Sequence, residues 1–312
     1  MNPAFSVIFL TTLTGVGQGL FFALYAAEVG AKLDWVPPTR PEFFALGAVI
    51  AFVFLGLGLL ASFFHLGRPE RAWRSAAMWR TSWLSREVIA LPLFMGVTIA
   101  YAVMHHEHIE GTIALGTAGV AISIALFICT AMIYACIRFL QEWAHPLTVI
   151  NFILLGCASG YTFAAAYASL AAPVLEDSFI RWAVVFTIAA FVTRVASLVR
   201  NGRIKPKSSL QTAIGVKHPK VVQKSQGFMG GSFNTREFFH GRTASLVRAV
   251  RWFFLTCVFA VPVALLVAAV RWDTGVLAIA AFVVQYAGLI AERWYFLAQA
   301  RHPQNLYYQT IS

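Results

Sequence analysis

Long apolar runs separated by short polar stretches dominate the chain, and each run has the ~20 residues that a helix needs to cross a bilayer. We predict eight such helices, at residues 5–30, 43–65, 87–105, 112–136, 147–171, 179–200, 252–270 and 276–298. The predicted fold is therefore an all-α integral membrane protein. We treat residues 1–312 as a single membrane domain.

Composition supports this class and excludes an ordinary soluble domain. Of the 312 residues, 59% are hydrophobic and 12% are charged, whereas soluble domains average about 25% charged residues. The net charge of +11 is typical of the positive loops of a membrane protein, so we expect lipid headgroups and no nucleic acid as its partner. All four cysteines lie in apolar runs without a CxxC pair, so we expect no metal, cluster or disulfide in the chain.

Lysine and arginine are distributed unevenly between the two sides of the membrane. With eight helices, both termini share a side with the loops after helices two, four and six, and that side holds 19 of the 24 Lys and Arg residues, with Arg293 near the end of helix eight counted among them. The opposite loops hold Lys32, Arg40, Arg181 and Arg271. The positive-inside rule therefore predicts that both termini are cytoplasmic.

The polar stretch between helices two and three, residues 64–87, holds one histidine, five arginines, three tryptophans and two glutamates. Pro69 suits the first turn of a helix, where its missing N–H has no cost. Apolar residues then recur at helical spacing, with Arg71 and Arg74 toward another face; these residues are Ala72, Ala76, Trp79 and Trp83. The pattern predicts an interfacial amphipathic helix from residue 69 to about residue 80.

Two titratable residues stand at the ends of this stretch. His65 ends helix two and Glu87 begins helix three, and a hairpin connection would bring them together at the predicted cytoplasmic surface. An imidazole and a carboxylate beside an apolar groove suit quinone chemistry, because quinone reduction and quinol oxidation move protons as well as electrons. The alternative is structural: an interfacial histidine, and a glutamate that complements the dipole of helix three.

A second polar segment, residues 201–251, connects helices six and seven. It is basic and too long for a simple turn. Aromatic residues and a methionine interrupt it, and they are Phe228, Met229, Phe233, Phe238 and Phe239. We interpret this segment as a docking surface for a soluble partner; the alternative is a basic tail held by anionic lipid.

Ionisable residues inside the predicted helices are candidates for a proton path, because charge within a membrane is costly. Arg194 lies within helix six and Glu292 near the cytoplasmic end of helix eight, and we expect them to pair with each other or with Glu87. Weaker candidates, each more often an interhelical hydrogen bond, are Gln18, Glu28, Tyr134, Asn151 and Gln285.

The histidine positions argue against haem. His65 and His145 lie at helix ends, and the other six histidines lie outside or beyond the predicted helices. No two histidines are therefore expected to face each other in the middle of the membrane. A surface-proximal haem on His65 and His145 is the alternative.

Three motifs carry a family resemblance: HLGRPERAW at residues 65–73, SRE at 85–87 and GVGQG at 15–19. They resemble the membrane-anchor subunits of the dimethyl sulfoxide reductase family, most specifically over residues 10–90. The eight-helix pattern and Glu292 also fit, whereas the long basic loop departs from the short connection that the family implies. Within the family, the chain is similar to the anchors of cytoplasmic membrane-bound sulfite dehydrogenases.

The resemblance implies a subunit that holds a four-cluster iron–sulfur subunit, which in turn binds a molybdopterin catalytic subunit. It implies electron exchange with ubiquinone or menaquinone, no haem, and clusters and molybdopterin only in the partners. His65 and Glu87 match quinol-binding positions of the family. The remaining matches to its loop and SRE motifs are Gly67, Arg68, Pro69, Arg71 and Arg86.

The favoured function is a quinone-binding anchor, non-catalytic on its own, in a complex that oxidises sulfite and reduces quinone. A quinol-oxidising anchor of a sulfoxide-type terminal reductase is one alternative. A proton or solute transporter is an alternative of another class. Matching halves with Gly- or Pro-broken helices would indicate transport, and the sequence shows no such pair, although Pro92 and Pro262 interrupt single helices.

Overall fold

The computed structural model describes residues 4–64, 66–205, 209–222 and 243–301. Within these ranges, eight helices are long and apolar enough to cross a membrane, as the sequence predicted. They are α1 (Phe5–Lys32), α2 (Pro41–Phe63), α3 (Trp83–His106), α4 (Thr112–Ala135), α5 (Pro146–Ala171), α6 (Pro173–Gly202), α7 (Ala244–Trp272) and α8 (Val276–Ala298).

Helix ends follow the local chemistry of the chain. Proline occupies the first turn of α2, α5 and α6, where no intrahelical partner for an N–H is needed. The Ser82 side chain caps α3 by accepting from the N–H of Ser85. The apolar window predicted that helix three begins at Glu87. Because α3 begins at Trp83, Glu87 instead lies about one turn inside the helix.

Neighbouring helices in the chain run in opposite directions. Gly58 near the end of α2 packs against Thr14 near the start of α1, whereas Gly47 near the start of α2 packs against Leu24 farther along α1. We call the side where α1 begins and α8 ends the terminal face, and the other side the opposite face. The loops after α2, α4 and α6 lie at the terminal face.

Helices α1 and α5 cross through glycines on both partners. Gly15 and Gly19 of α1 meet Gly156 and Gly160 of α5, and an added Cβ at Gly19 or Gly160 would overlap the backbone of the other helix. Small residues four apart let helix backbones approach closely in membranes. The crossing therefore places Gln18, between two of these glycines, inside the bundle, where it is 2% exposed.

The stretch between α2 and α3 is a 3₁₀ helix, Pro69–Ala76, followed by turns up to Thr81. The helix predicted from residue 69 to about residue 80 therefore begins where expected, but it is a 3₁₀ helix and ends earlier, at Ala76. The tighter 3₁₀ geometry is typical of short connecting segments. The chain then turns before Ser82 caps the next helix, so Trp83 belongs to α3 and not to the predicted apolar face. The interfacial position of this segment stays a prediction.

The connection between α6 and α7 is shorter than predicted at both ends. Helix α6 continues to Gly202, and α7 begins at Ala244, so that Arg248 and Arg251 lie on a helix and not in the loop. The described part of this connection contains a five-residue helix, Leu210–Ile214. The interrupting residues Phe228, Met229, Phe233, Phe238 and Phe239 lie outside the described residues, so the docking surface stays a prediction.

Helix α7 contains one π-helical turn, Thr256–Ala260, just before Pro262. Proline has no N–H for the carbonyl of Val258, four residues earlier. The Gln285 side chain of α8 donates to this carbonyl at 3.2 Å, and also to the Thr187 hydroxyl at 3.2 Å. Because a free carbonyl is costly in lipid, we interpret Gln285, a candidate for the proton path, as a structural interhelical bond.

Candidate functional site

Glu87 is buried near the terminal face, with 7% of its surface exposed. Thr130 of α4 donates a hydrogen bond from Oγ1 to Glu87 Oε1 at 2.6 Å. In the described chain, Thr130 is the residue that makes a side-chain hydrogen bond with Glu87. A hydroxyl can donate to a carboxylate and accept from a carboxylic acid. Thr130 can therefore hold the Glu87 side chain in place in either protonation state.

Arg86, next to Glu87, holds the entry to α3. Its guanidinium donates to the carbonyl oxygens of Trp79 and Arg80 at 2.9 and 2.8 Å and lies 4.2 Å from the centroid of the Trp83 ring. These contacts connect the turns after the 3₁₀ helix to the first turn of α3. Arg86 therefore has a structural role in positioning Glu87, whatever else it contacts.

The loop residues that match the family motif are exposed. Gly67, Arg68 and Arg71 lie at the surface, and Arg71 makes a long ion pair of 4.0 Å with Glu70. His65 lies outside the described residues, so its approach to Glu87 stays a prediction. The described chain thus shows the contact between Glu87 and Thr130 of α4. A role for the loop in binding stays a prediction that rests on the family motif.

A small cavity adjoins Thr130 and is enclosed by α1, α4, α5 and α8. It leaves about 10 Å³ for the centres of water molecules, which is room for about one water. Its polar lining consists of Thr11, Thr12, Thr14, Gln18, Thr130, Ser159 and Arg293. Gln18, one of the residues predicted from the sequence, accepts from the Ser123 hydroxyl at 3.1 Å. The structure therefore brings Gln18 and the partner of Glu87 to one cavity.

Three buried charges lie on α6 and α8, and one of them, Arg293, lines this cavity. Arg194 Nε is 2.7 Å from Glu292 Oε1, and Arg293 Nη1 is 3.7 Å from Glu292 Oε2. All three side chains are at most 4% exposed. The predicted pairing of Arg194 with Glu292 is confirmed. Arg293, which the sequence placed among the cytoplasmic loop cations, is instead buried within α8, where its guanidinium lies 3.6 Å from the ring centroid of Phe152.

Tyr134 lies between these two groups of residues. Its ring packs edge-on against Trp143 and Phe296, with centroids 5.3 and 5.5 Å away. The phenol is within electrostatic range of both Glu87 and Arg293. Tyr134, also a sequence candidate, is therefore close to the cavity region, although the structure shows no direct bond from it to Glu87 among the described residues.

A second buried carboxylate, Glu28, lies near the opposite face. The Tyr101 hydroxyl donates to Glu28 Oε2 at 2.5 Å, and the Thr112 hydroxyl donates to Oε1. His105 Nε2 lies 3.6 Å from Oε2, and its ring stacks on Phe44. In weighing haem, His105 was counted outside or beyond the helices, although it is the last residue of the predicted third helix. In the structure it lies in the last turn of α3, where it is buried against Phe44 and Tyr101.

His145, the second residue of the alternative haem pair, is the N-cap of α5. Its Nδ1 accepts from the N–H of Leu147 at 3.2 Å. Partial burial, together with the positive charge of Arg200, lowers the pKa of His145 below its ordinary value. The neutral imidazole therefore serves as a helix cap. Among the residues that the structure describes, no group of three or more His, Cys, Asp or Glu side chains could hold a metal ion.

Fold and site together define a multi-pass membrane protein with a buried, hydrogen-bonded carboxylate near one face. The family model of the DMSO reductase anchor subunit (DmsC) matches residues 1–297. The chain belongs to this family, which confirms the resemblance drawn from its motifs. It is also 53% identical to a sulfite dehydrogenase subunit from Allochromatium vinosum, over the full length of both chains.

Two residues of the site were not selected from the sequence. Thr130 lies in an apolar run, where threonine is a common helix residue, and its bond to Glu87 depends on the packing of α3 against α4. Arg293 was counted as a loop cation because it lies near the end of the last apolar window. One feature of the sequence could have indicated that Arg293 lies inside the helix: it directly follows Glu292, in a segment whose apolar residues continue to Ala298.

Proposed function

We propose that this anchor subunit is where a molybdopterin and iron–sulfur oxidoreductase exchanges electrons with membrane quinone, and that the complex oxidises sulfite and reduces quinone. Membership of the DMSO reductase anchor family and the high identity to a subunit of a sulfite dehydrogenase support this proposal. On this proposal a four-cluster iron–sulfur subunit binds the anchor and connects it to the molybdopterin subunit. The chain itself holds no haem.

The observation that carries the quinone assignment is Glu87, a buried carboxylate whose partner Thr130 suits both protonation states. It directly follows the motif stretch that begins at His65. These residues fit a quinone headgroup, because a carboxylate and an imidazole can bind its oxygens and exchange protons with them. Bound quinone supplies the two-electron, two-proton chemistry.

In this mechanism, the chain binds the headgroup and moves protons. Glu87 accepts or returns a proton at a carboxylate oxygen, while Thr130 keeps the side chain in one position. His65, two residues beyond the end of α2 in the sequence, binds the headgroup, and the exposed residues Gly67, Arg68 and Arg71 shape the entrance. Further proton transfer uses the polar residues around the inner cavity and the ion pair beyond it, namely Gln18, Tyr134, Arg194 and Glu292.

The proposed orientation places the terminal face in the cytoplasm of a bacterium, with the helices in the inner membrane. The excess of Lys and Arg in the loops of this face supports it. The iron–sulfur subunit would then dock on the cytoplasmic side. The aromatic residues Phe228, Phe233, Phe238 and Phe239 of the long loop are candidates for this contact, and the exposed tryptophans of the 3₁₀ region lie at the same face.

The decisive experiment measures quinone-linked turnover of the purified three-subunit complex with sulfite and with dimethyl sulfoxide. We expect sulfite to reduce quinone in the presence of this subunit, and only artificial dyes to be reduced in its absence. A complex that is inactive with sulfite but couples quinol oxidation to sulfoxide reduction would reverse the proposed direction. Failure of any iron–sulfur subunit to co-purify, together with solute uptake by the chain alone, would refute the anchor function.

A further inference from the structure

Arg293 has a buried donor that the described chain does not use. Its Nε is inaccessible to solvent and has no hydrogen-bond partner among the described residues, although the side chain is 4% exposed. The guanidinium stacks on Phe152 and reaches Glu292 only through Nη1, at 3.7 Å. An unpaired buried donor is costly, so a hydrogen-bond acceptor is expected next to it.

The inner cavity supplies a place for that acceptor. Arg293 and Phe152 both line it, and so does Thr130, whose hydroxyl hydrogen is committed to Glu87. Thr130 Oγ1 still has lone pairs that can accept. One water, for which the cavity has room, would accept from Arg293 and donate to Thr130.

The direction of this chain of hydrogen bonds is fixed by its first member. Arginine keeps its proton in proteins and can only donate. Each following bond is polarised in the same direction, which strengthens the donation to the last acceptor. The last acceptor is the Glu87 carboxylate, and the chain therefore favours its ionised form.

We propose that Arg293 is a positioning residue that stabilises ionised Glu87 through a water molecule and Thr130. The importance of this relay for turnover rests on the quinone function proposed above, whereas the relay itself concerns only the resting protein. An ionised Glu87 also balances the buried charges of Arg194, Glu292 and Arg293. Arg194 already compensates Glu292, so Arg293 is a second buried cation, and ionised Glu87 brings the sum of the four charges to zero.

Other groups around Glu87 act differently. In the described chain, the charged and titratable groups close to Glu87 are Arg86 on its own helix and Cys129 and Tyr134 on α4. Arg293 of α8 lines the same cavity as Thr130, the donor to Glu87. The cavity walls from α1 and α5 contribute neutral hydroxyls and the Gln18 amide. His65 is the remaining titratable residue that the family motif places at this site. Of these groups, only Arg293 shares a cavity with the donor to Glu87.

The test is an infrared pH titration of the protonated carboxyl band in the purified complex, reconstituted in lipid nanodiscs. The variant Glu87→Gln identifies the band by removing it. We expect Arg293→Gln and Thr130→Val each to raise the midpoint pH of this band by about one unit or more, since a lost hydrogen bond to a charged group has that size. Thr130→Ser keeps the hydroxyl and should keep the wild-type midpoint.

A matched control is Thr14→Val. Thr14 lines the same cavity, but its hydroxyl donates to the Leu10 carbonyl of its own helix at 2.7 Å. We expect no shift from this variant. Because Arg293 and Thr130 act in one chain, the double variant should shift the midpoint no further than the larger single shift.

Several outcomes would overturn the relay. An unchanged midpoint in Thr130→Val would do so even where Arg293→Gln fails to assemble, and so would additive shifts in the double variant. Failure of the proposed function has a different signature. If Glu87→Gln retained full quinone-linked turnover, the quinone assignment would fall while a shifted midpoint would still support the relay.

Discussion

Glu28 and Glu87 are equally buried, at 7% exposure each, yet their surroundings differ. Each accepts a hydrogen bond from a threonine of α4, Thr112 near the opposite face and Thr130 near the terminal face. Glu28 also accepts from Tyr101 and contacts His105. Both of its oxygens are thus committed to donors from α3 and α4, whereas in the described chain Glu87 has one hydroxyl partner.

The cavities beside the two carboxylates differ as well. The one that reaches Glu28 and His105 is open at the opposite face and leaves about 270 Å³ for water centres. The smaller cavity beside the partner of Glu87 has room for about one water. Glu28 is therefore held by two hydroxyl donors beside an open cavity, and Glu87 by one hydroxyl donor beside a small cavity. The comparison teaches that burial alone does not mark a reactive acid, and we use the number of committed donors to predict that Glu28 is structural and that Glu87 exchanges protons.

The largest effect is expected from Glu87→Gln, which keeps the shape and the bond to Thr130 but removes the titratable group. Quinone-linked turnover of the complex should fall by about 100-fold or more, the typical contribution of a general acid or base. Dye-linked activity of the soluble subunits and the melting temperature of the complex should stay unchanged. Steady-state assays with quinone and with dye measure the difference, and a variant with normal quinone kinetics would remove Glu87 from the site.

Glu28→Ala should produce the reverse pattern. It leaves the buried donors Tyr101 and Thr112 without their acceptor and removes the close contact with His105, and breaking such a buried set costs about 3 kcal/mol. We expect a clear drop in the melting temperature of the detergent-solubilised protein. Quinone-linked turnover per folded complex should stay within about twofold of wild type, because Glu28 lies near the opposite face and the proposed quinone site lies near the terminal face. Loss of turnover with normal stability would contradict the structural role of Glu28.

Thr112→Val isolates one bond of the Glu28 cluster. Removing a single hydroxyl donor to a buried carboxylate should destabilise the protein by about 1.5–3 kcal/mol. Thr112→Ser is the control, since it keeps the hydroxyl and should remain near wild type. Equal melting temperatures for the valine and serine variants would show that this hydrogen bond contributes little and would weaken the contrast with Thr130.

The sequence predicted the spans well because an apolar window reflects the thickness of the bilayer directly. It predicted helix ends less well, since polar side chains can also form the first and last turns of a helix, as Ser85 and Arg86 do at the start of α3 and His106 at its end. The 3₁₀ helix Pro69–Ala76 was predicted as an α-helix because both conformations repeat apolar positions every three to four residues over so short a stretch.

The site was predictable only where a residue is unusual in its own segment. Glu87, Arg194 and Glu292 stand out as charges at or inside apolar runs, and all three are buried in the structure. Thr130 could not be selected, because its importance depends on a contact with a residue 43 positions away. Arg293 was misplaced since charge counting assigns residues near helix ends to loops, although α8 continues to Ala298.

The smallest effect concerns His145, which titrates at the same face as Glu87 and would otherwise complicate its pH dependence. Burial and the Arg200 charge lower the pKa of His145 below the ordinary value of 6.5. As the pH falls below 6.5, the unfolded chain therefore binds more protons at this residue than the folded chain, and stability decreases. The stabilising contribution is fully present above the unfolded pKa and is lost as the pH falls through the folded pKa.

His145→Asn keeps a side chain that can cap α5 but does not titrate. We expect the melting temperature of the variant to equal that of wild type at pH 8 and to fall less steeply between pH 6.5 and pH 5. A wild-type slope retained in the variant would assign that pH dependence to other groups. In either case, repeating the Glu87→Gln and Glu28→Ala measurements in the His145→Asn background separates proton exchange at the site from titration of a helix cap at the same face.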